Sequence, residues 1–191
     1  MKKLASALLV LTLCLTTTAV AADKNVHTET KIDSTSDGYK GTTTYEAVDS
    51  TGAKVTSKLE ETDSTTSAGK QKSHAKAETS RDPKGLGNKS WAKGETSATV
   101  DSDGNLKRET TAKAVDAAGT EYKSNELTKS KLNADGSGET KYTKKIVTDP
   151  KGLMNKQTQE IEETTRHAAD GSDTKIVKKE IDGKVVEQKV H

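Results

Sequence analysis

From Asp23 onward the side chains alternate in two-residue steps, and turn signals interrupt the alternation at near-regular intervals. The pattern is clearest around Asp49-Ser50-Thr51-Gly52. If Asp49 pairs with Ala53, then Tyr39, Thr43, Tyr45 and Ala47 share one face with Val55, Ser57 and Leu59. The other face collects Lys40, Thr42, Thr44 and Glu46 opposite Lys54, Thr56, Lys58 and Glu60. A period of two with one weakly apolar face and one charge-mixed face predicts antiparallel strands wetted on at least one side. The next unit keeps the pattern, with Ala112 and Ala114 facing Ser124 and Tyr122. Abundant threonine and only 2 prolines agree with strands.

The turns repeat. Asp82-Pro83-Lys84-Gly85-Leu86 returns as Asp149-Pro150-Lys151-Gly152-Leu153, and Ala47-Val48-Asp49 returns as Ala114-Val115-Asp116, both at a spacing of 67 residues. Asp-x-x-Gly suits a type I turn closed by a left-handed glycine, the usual three-residue hairpin loop with a bulge. The grammar stands at Asp49 to Gly52, Asp82 to Gly85, Asp116 to Gly119 and Asp149 to Gly152, and Asp182-Gly183 continues it. A second series, Asp37-Gly38, Ala68-Gly69, Asp103-Gly104, Asp135-Gly136 and Asp170-Gly171, belongs at the opposite strand ends. Together they predict about eleven strands in an antiparallel meander, four to each 67-residue repeat. After each Asp-Pro-Lys-Gly the spacing stretches, so those two loops are expected to be longer and their register is open. Asp101 to Leu106, Asp-Ser-Asp-Gly-Asn-Leu, resembles the turn and following leucine of the YD-repeat proteins. That family has an aromatic residue before the aspartate, where this chain has Val48, Arg81, Val115, Thr148 and Ile181, and nothing is carried over from it.

Large apolar residues change the picture by their scarcity. There is no Phe and one Trp, and Leu, Ile and Val number 21 in the 170 residues from Ala22. That level makes a disordered polyampholyte spacer a rival. It also leaves either a single-layer sheet or a poorly filled barrel. Ile146, Val147, Ile161, Ile176, Val177, Ile181, Val185, Val186 and Val190 crowd the C-terminal end, so any core is expected there. The last strand, from Lys184, is apolar on both faces, and as an edge it would template pairing with another chain.

The first segment has a different character. Lys2 and Lys3 precede an apolar run from Leu4 to Leu15, and Ala19-Val20-Ala21 supplies the small residues of a cleavage site. Residues 1–21 are therefore expected to be a signal peptide, leaving 22–191 as one β-hairpin repeat domain in the periplasm or outside the cell. The run is too short to span a bilayer, and the strand residues lack the apolar lipid face of an outer-membrane barrel. Cys14 lies in the leader, so disulfide and thiol chemistry leave with it. Lys2 and Lys3 also account for the formal charge of +2, and a neutral remainder gives no reason to propose nucleic acid.

No motif for catalysis, cofactor or metal emerges. His27, His74, His167 and His191 show no ligand spacing. Asp101-Ser102-Asp103-Gly104-Asn105 resembles the start of a calcium loop, but Thr110 stands where the glutamate is needed, so a turn is the simpler reading. Glu60-Glu61 and Glu162-Glu163 are explained by solvated charge. Trp91, Tyr39, Tyr45, Tyr122 and Tyr142 would make either a sugar-stacking strip or the bulk of a thin core, and core is favoured. The reading is an exported, non-enzymatic envelope or extracellular protein presenting an extended β surface to a protein or polysaccharide. Partner strands or second copies would add at the two sheet edges. The alternatives are the disordered spacer and a weak calcium- or carbohydrate-binding module.

Overall fold

The computed structural model describes residues 24–190 except 86, 153 and 154. The expected leader with Cys14, and His191, lie outside the described residues. The chain forms β1 (Lys24–Thr35), β2 (Gly38–Val48), β3 (Lys54–Thr65), β4 (Gln71–Asp82), β5 (Ser90–Val100), β6 (Leu106–Val115), β7 (Glu121–Leu132), β8 (Gly138–Asp149), β9 (Gln157–His167), β10 (Asp173–Ile181) and β11 (Lys184–Val190). They make one 11-stranded antiparallel sheet in chain order. Each strand contacts only its sequence neighbours, and β1 does not meet β11, so the sheet is open and not a barrel.

The expected register holds where it was specified. Ala47 pairs with Val55, Tyr45 with Ser57 and Thr43 with Leu59. Ala112 and Ala114 pair with Ser124 and Tyr122. Extended through the ladders, this parity gives a small-residue face and a charged face. One transverse row of the former reads Thr43, Leu59, Ala77, Gly94, Ala112, Ser124, Ile146.

The turns explain the register. Gly52 N donates to Asp49 O at 2.9 Å and Asp49 N to Ala53 O at 2.9 Å, with Gly52 at φ 82°. That is the type I turn with a bulge glycine, and the same two bonds close the turns beginning at Thr66, Asp101, Asp116, Asn133 and Ala168. Asp182 and Gly183 are both left-handed, at φ 49° and 77°, the two-residue type I′ turn favoured by Asp-Gly.

Three expectations need correction. The Asp-Pro-Lys-Gly segments do not form tight hairpin loops, although the longer loops expected from their stretched spacing are there: β4 ends at Asp82 and β5 starts at Ser90, and the second loop runs from Asp149 to Gln157. These loops reach sideways. A Cβ on Gly52 would meet Lys84 Cδ at 3.4 Å, and one on Gly119 would meet Lys151 Cδ at 2.7 Å, so each lysine stem covers the preceding turn at that sheet end. Gly38 is not a turn glycine either. It opens β2 after Ser36-Asp37, where a Cβ would lie 1.8 Å from the Asp63 carbonyl oxygen.

The third correction concerns the core. The buried apolar residues are Ala47, Ala53, Val55, Ala75, Ala77 and Ala98, in and beside β2 to β5, whereas Val185, Val186 and Val190 are 52%, 54% and 68% exposed. In a single layer nothing lies above a side chain, so burial comes from taller neighbours on flanking strands. Alanines in the interior of the sheet are shaded; valines on an edge strand are not. Val55→Ala is accordingly expected to cost about 1–2 kcal/mol, and Val190→Ala less than about 0.5 kcal/mol, by urea unfolding. A larger loss at Val190 would return the core to the C-terminal end.

Candidate functional site

On the charged face, most strands carry their own counter-ions. Lysine and glutamate two residues apart on one strand pair at Lys58–Glu60 (2.8 Å), Lys76–Glu78 (3.2 Å), Lys107–Glu109 (2.8 Å) and Lys141–Glu139 (3.0 Å). Such solvated pairs add little stability individually, but they neutralise the face strand by strand. The long-range field of this face is therefore weak, and recognition there depends on local shape.

Among the described residues, this face carries an open groove of about 660 Å³ between β2 and β5. Its floor is hydroxylic, with Thr56 and Ser80 sharing a hydrogen bond at 2.8 Å and Thr44 on the same face. Trp91 forms one wall because β5 pairs it with Ser80, beside these short side chains. Lys93 Nζ stands 5.4 Å from the indole centroid, a cation–π contact. Glu46, Lys58, Glu78 and Lys89 complete the rim. An apolar plate beside hydroxyls and mixed charge can hold a polar chain that has flat apolar patches, which describes a sugar ring better than an extended hydrophobe.

The aromatic residues do not form one strip. Tyr39, Tyr45, Tyr122 and Tyr142 occupy the small-residue face, and Trp91 the opposite one, as strand parity requires. Nor are they all core, since Tyr122 is 40% exposed. Two tyrosines sit among carboxylates. Burial, with Asp63 and Glu61 nearby, raises the Tyr39 hydroxyl. Burial and Glu126 push Tyr142 up to about 12. Glu61 is itself raised by burial and by Asp63. The hollow between Tyr39, Glu61, Asp63 and Thr96 is only about 10 Å³, room for about one water. Arg108 lies in the same transverse row as Tyr39 and Tyr142, and its buried Nε has no hydrogen-bond partner.

The turn aspartates act inward, on the chain itself. Asp49, 8% exposed, accepts through Oδ1 from Thr51 N at 2.8 Å, Thr51 Oγ1 at 2.5 Å and Ala53 N at 3.0 Å. Its Oδ2 accepts from Arg81 Nε at 2.9 Å and from a terminal Arg81 nitrogen at 2.8 Å. The Thr51 hydroxyl, then Arg81 and the two amides, hold its carboxyl far below the usual range despite the opposing effect of burial. In the second repeat Thr148 replaces Arg81, and Tyr122 OH donates to Asp116 Oδ2 at 3.1 Å instead. Asp101 accepts from Asp103 N, Asn105 N and Asn105 Nδ2, so its oxygens serve the turn. No three ligating side chains converge among the described residues. His74 pairs with Glu95 at 2.9 Å and His167 with Asp173 at 2.7 Å. Adjacent carboxylates diverge: Glu60 meets Lys58 on the charged face while Glu61 points to the other.

Arg81 was not visible as an interacting residue from spacing alone. Asp49 and Arg81 are 32 residues apart, and only the successive β2–β3 and β3–β4 registers bring them together. No protein-family model, curated protein or solved structure matches this chain.

The aspartates fix the sign of the pH response. Asp49, Asp101, Asp116, Asp135 and Asp170 all have folded values below their ordinary 3.8. Their contribution is therefore complete above that value and is lost as pH falls through the folded values. Glu61 opposes them, being raised, and relieves the fold when protonated. Tm is expected to fall between about pH 4 and pH 2. Asp49→Asn should lower Tm at pH 6 and flatten the fall, so that the two curves converge in acid. Parallel curves would remove Asp49 from the account.

Proposed function

We propose that this chain is an exported, non-enzymatic protein of the envelope or extracellular space that presents an extended β-repeat surface for binding or structural roles. The observation that carries this reading is the single open layer, which turns two broad faces to solvent. A glycosidase-type acid needs a desolvating pocket. The groove on the charged face is open, with a solvated, ion-paired rim. The continuous pairing of eleven strands weighs against a disordered spacer.

Of the partner classes, a polysaccharide is favoured by the Trp91 groove, with its indole wall and hydroxyl floor. Trp91 is the only tryptophan, so its emission reports on this groove alone. Titrating the full chain with soluble envelope oligosaccharides is expected to give a saturable change in emission. Trp91→Ala should weaken binding measured by calorimetry up to about tenfold, the scale of losing an aromatic contact. A flat response to oligosaccharides, with calorimetric binding to an envelope protein, would assign the surface to a protein partner. Steady release of new reducing ends from the oligosaccharide would overturn the non-enzymatic reading.

A further inference from the structure

Among the described residues the sheet has two free edges, and they are unequal. On β11, the register breaks between Lys179 and Glu180, and such a bulge twists an edge away from a partner. On β1 the one irregularity lies at the start, between Lys24 and His27, and the nine consecutive pairs from His27↔Glu46 to Thr35↔Gly38 run without a break. All described β1 side chains from Val26 on are exposed, with Val26 at 55% and Ile32 at 66%. As an edge strand with one neighbour, β1 turns half its amides and carbonyls away from β2.

We propose that two copies of this chain join edge to edge through β1, antiparallel, about a twofold axis through Thr30. The charges on the strand select this register. Continuing both faces of the sheet across the join requires partners of equal parity, so the centre falls on a residue and register shifts come in steps that keep the faces. Centred on Thr30, Glu29 of each copy meets Lys31 of the other, His27 meets Asp33, and Thr28 meets Ile32. Centring on Glu29 opposes the two Glu29 carboxylates, and centring on Lys31 opposes two ammonium groups and sets Glu29 against Asp33. Centring on Ile32 sets Lys31 of each copy against Asp33 of the other, one opposite-charge pairing and its symmetry mate, whereas the Thr30 centre makes both Glu29–Lys31 and His27–Asp33.

The topology also favours a twofold join. With an odd number of strands in a simple meander, β1 and β11 run in the same direction. Head-to-tail addition of β11 to β1 would be parallel and would break the antiparallel pattern. A twofold axis at β1 continues it and produces one sheet of twice the width. Glu29 and Lys31 already pair within the strand at 3.0 Å, with side chains 52% and 73% exposed, so both are free to exchange partners across the axis. This assembly does not depend on which ligand the faces carry.

The test is a charge swap read by sedimentation equilibrium on the chain as recovered from the producing cell. The wild type is expected to dimerise. Glu29→Lys alone and Lys31→Glu alone should each weaken the dimer by about tenfold, since each replaces two attractions by two repulsions. The double variant should restore the wild-type constant to within about threefold. Matching circular dichroism spectra and melts would show that the exposed substitutions leave the fold intact. A wild type monomeric at about 0.1 mM overturns the proposal, as does a dimer indifferent to these swaps. A dimer dissociated instead by Glu187→Lys places the junction at β11 and overturns it equally.

Discussion

A sheet with no second layer has to stabilise itself in two dimensions, and this requirement governs which residues stand where. Every strand finds its contacts on the strands beside it. A long side chain gains no cover by being apolar, because nothing is packed above it. A short one is covered if its neighbours are taller. Hence Ala75, Ala77, Ala98 and Thr96 are buried, while Ile32 and Val190 are the most exposed of the large apolar residues described. Burial here is a property of position in the sheet more than of hydropathy.

Turn chemistry supplies what a deep core would otherwise supply, the choice of register. A one-residue slip in any hairpin would exchange the two faces and bring lysine under the shade of its neighbours. The repeated type I turn with a bulge glycine forbids the slip locally, six times over. Asp49 does more than close its own turn, since its second oxygen holds Arg81 on β4 and so ties three strands at one end. In the second repeat Tyr122 on β7 takes the second oxygen of Asp116, which braces that hairpin without reaching a third strand. The two long loops add a different brace, laying Lys84 and Lys151 across the preceding turns.

The same architecture shapes what the molecule can offer a partner. Strand-wise pairing of lysine with glutamate leaves a face of nearly balanced charge, interrupted at one place by an indole. The other face is built largely of small and hydroxylic residues, with tyrosines standing singly, two of them beside carboxylates. Both are broad enough to lie along an extended ligand. The edges are the remaining surfaces, where unpaired backbone is available and the local charges decide the register of whatever joins.

Reading the chain without its structure reached the local level well. The two-residue alternation and the turn glycines specified strands, their number and the Ala47↔Val55 and Ala114↔Tyr122 pairings, because hairpin register is dictated by residues within a few positions of the turn. What crowded valines and isoleucines suggested about a C-terminal core did not survive, since burial in one layer depends on flanking strands that composition does not describe. The Asp49–Arg81 tie and the separation of Trp91 from the tyrosines required several registers to be accumulated across the sheet. By itself the sequence determined an antiparallel meander and its two chemically distinct faces. Whether that meander closed, and which small residues lay buried in it, was decided only when all eleven strands were laid side by side, because closure and shading are properties of the whole sheet and no single hairpin contains them.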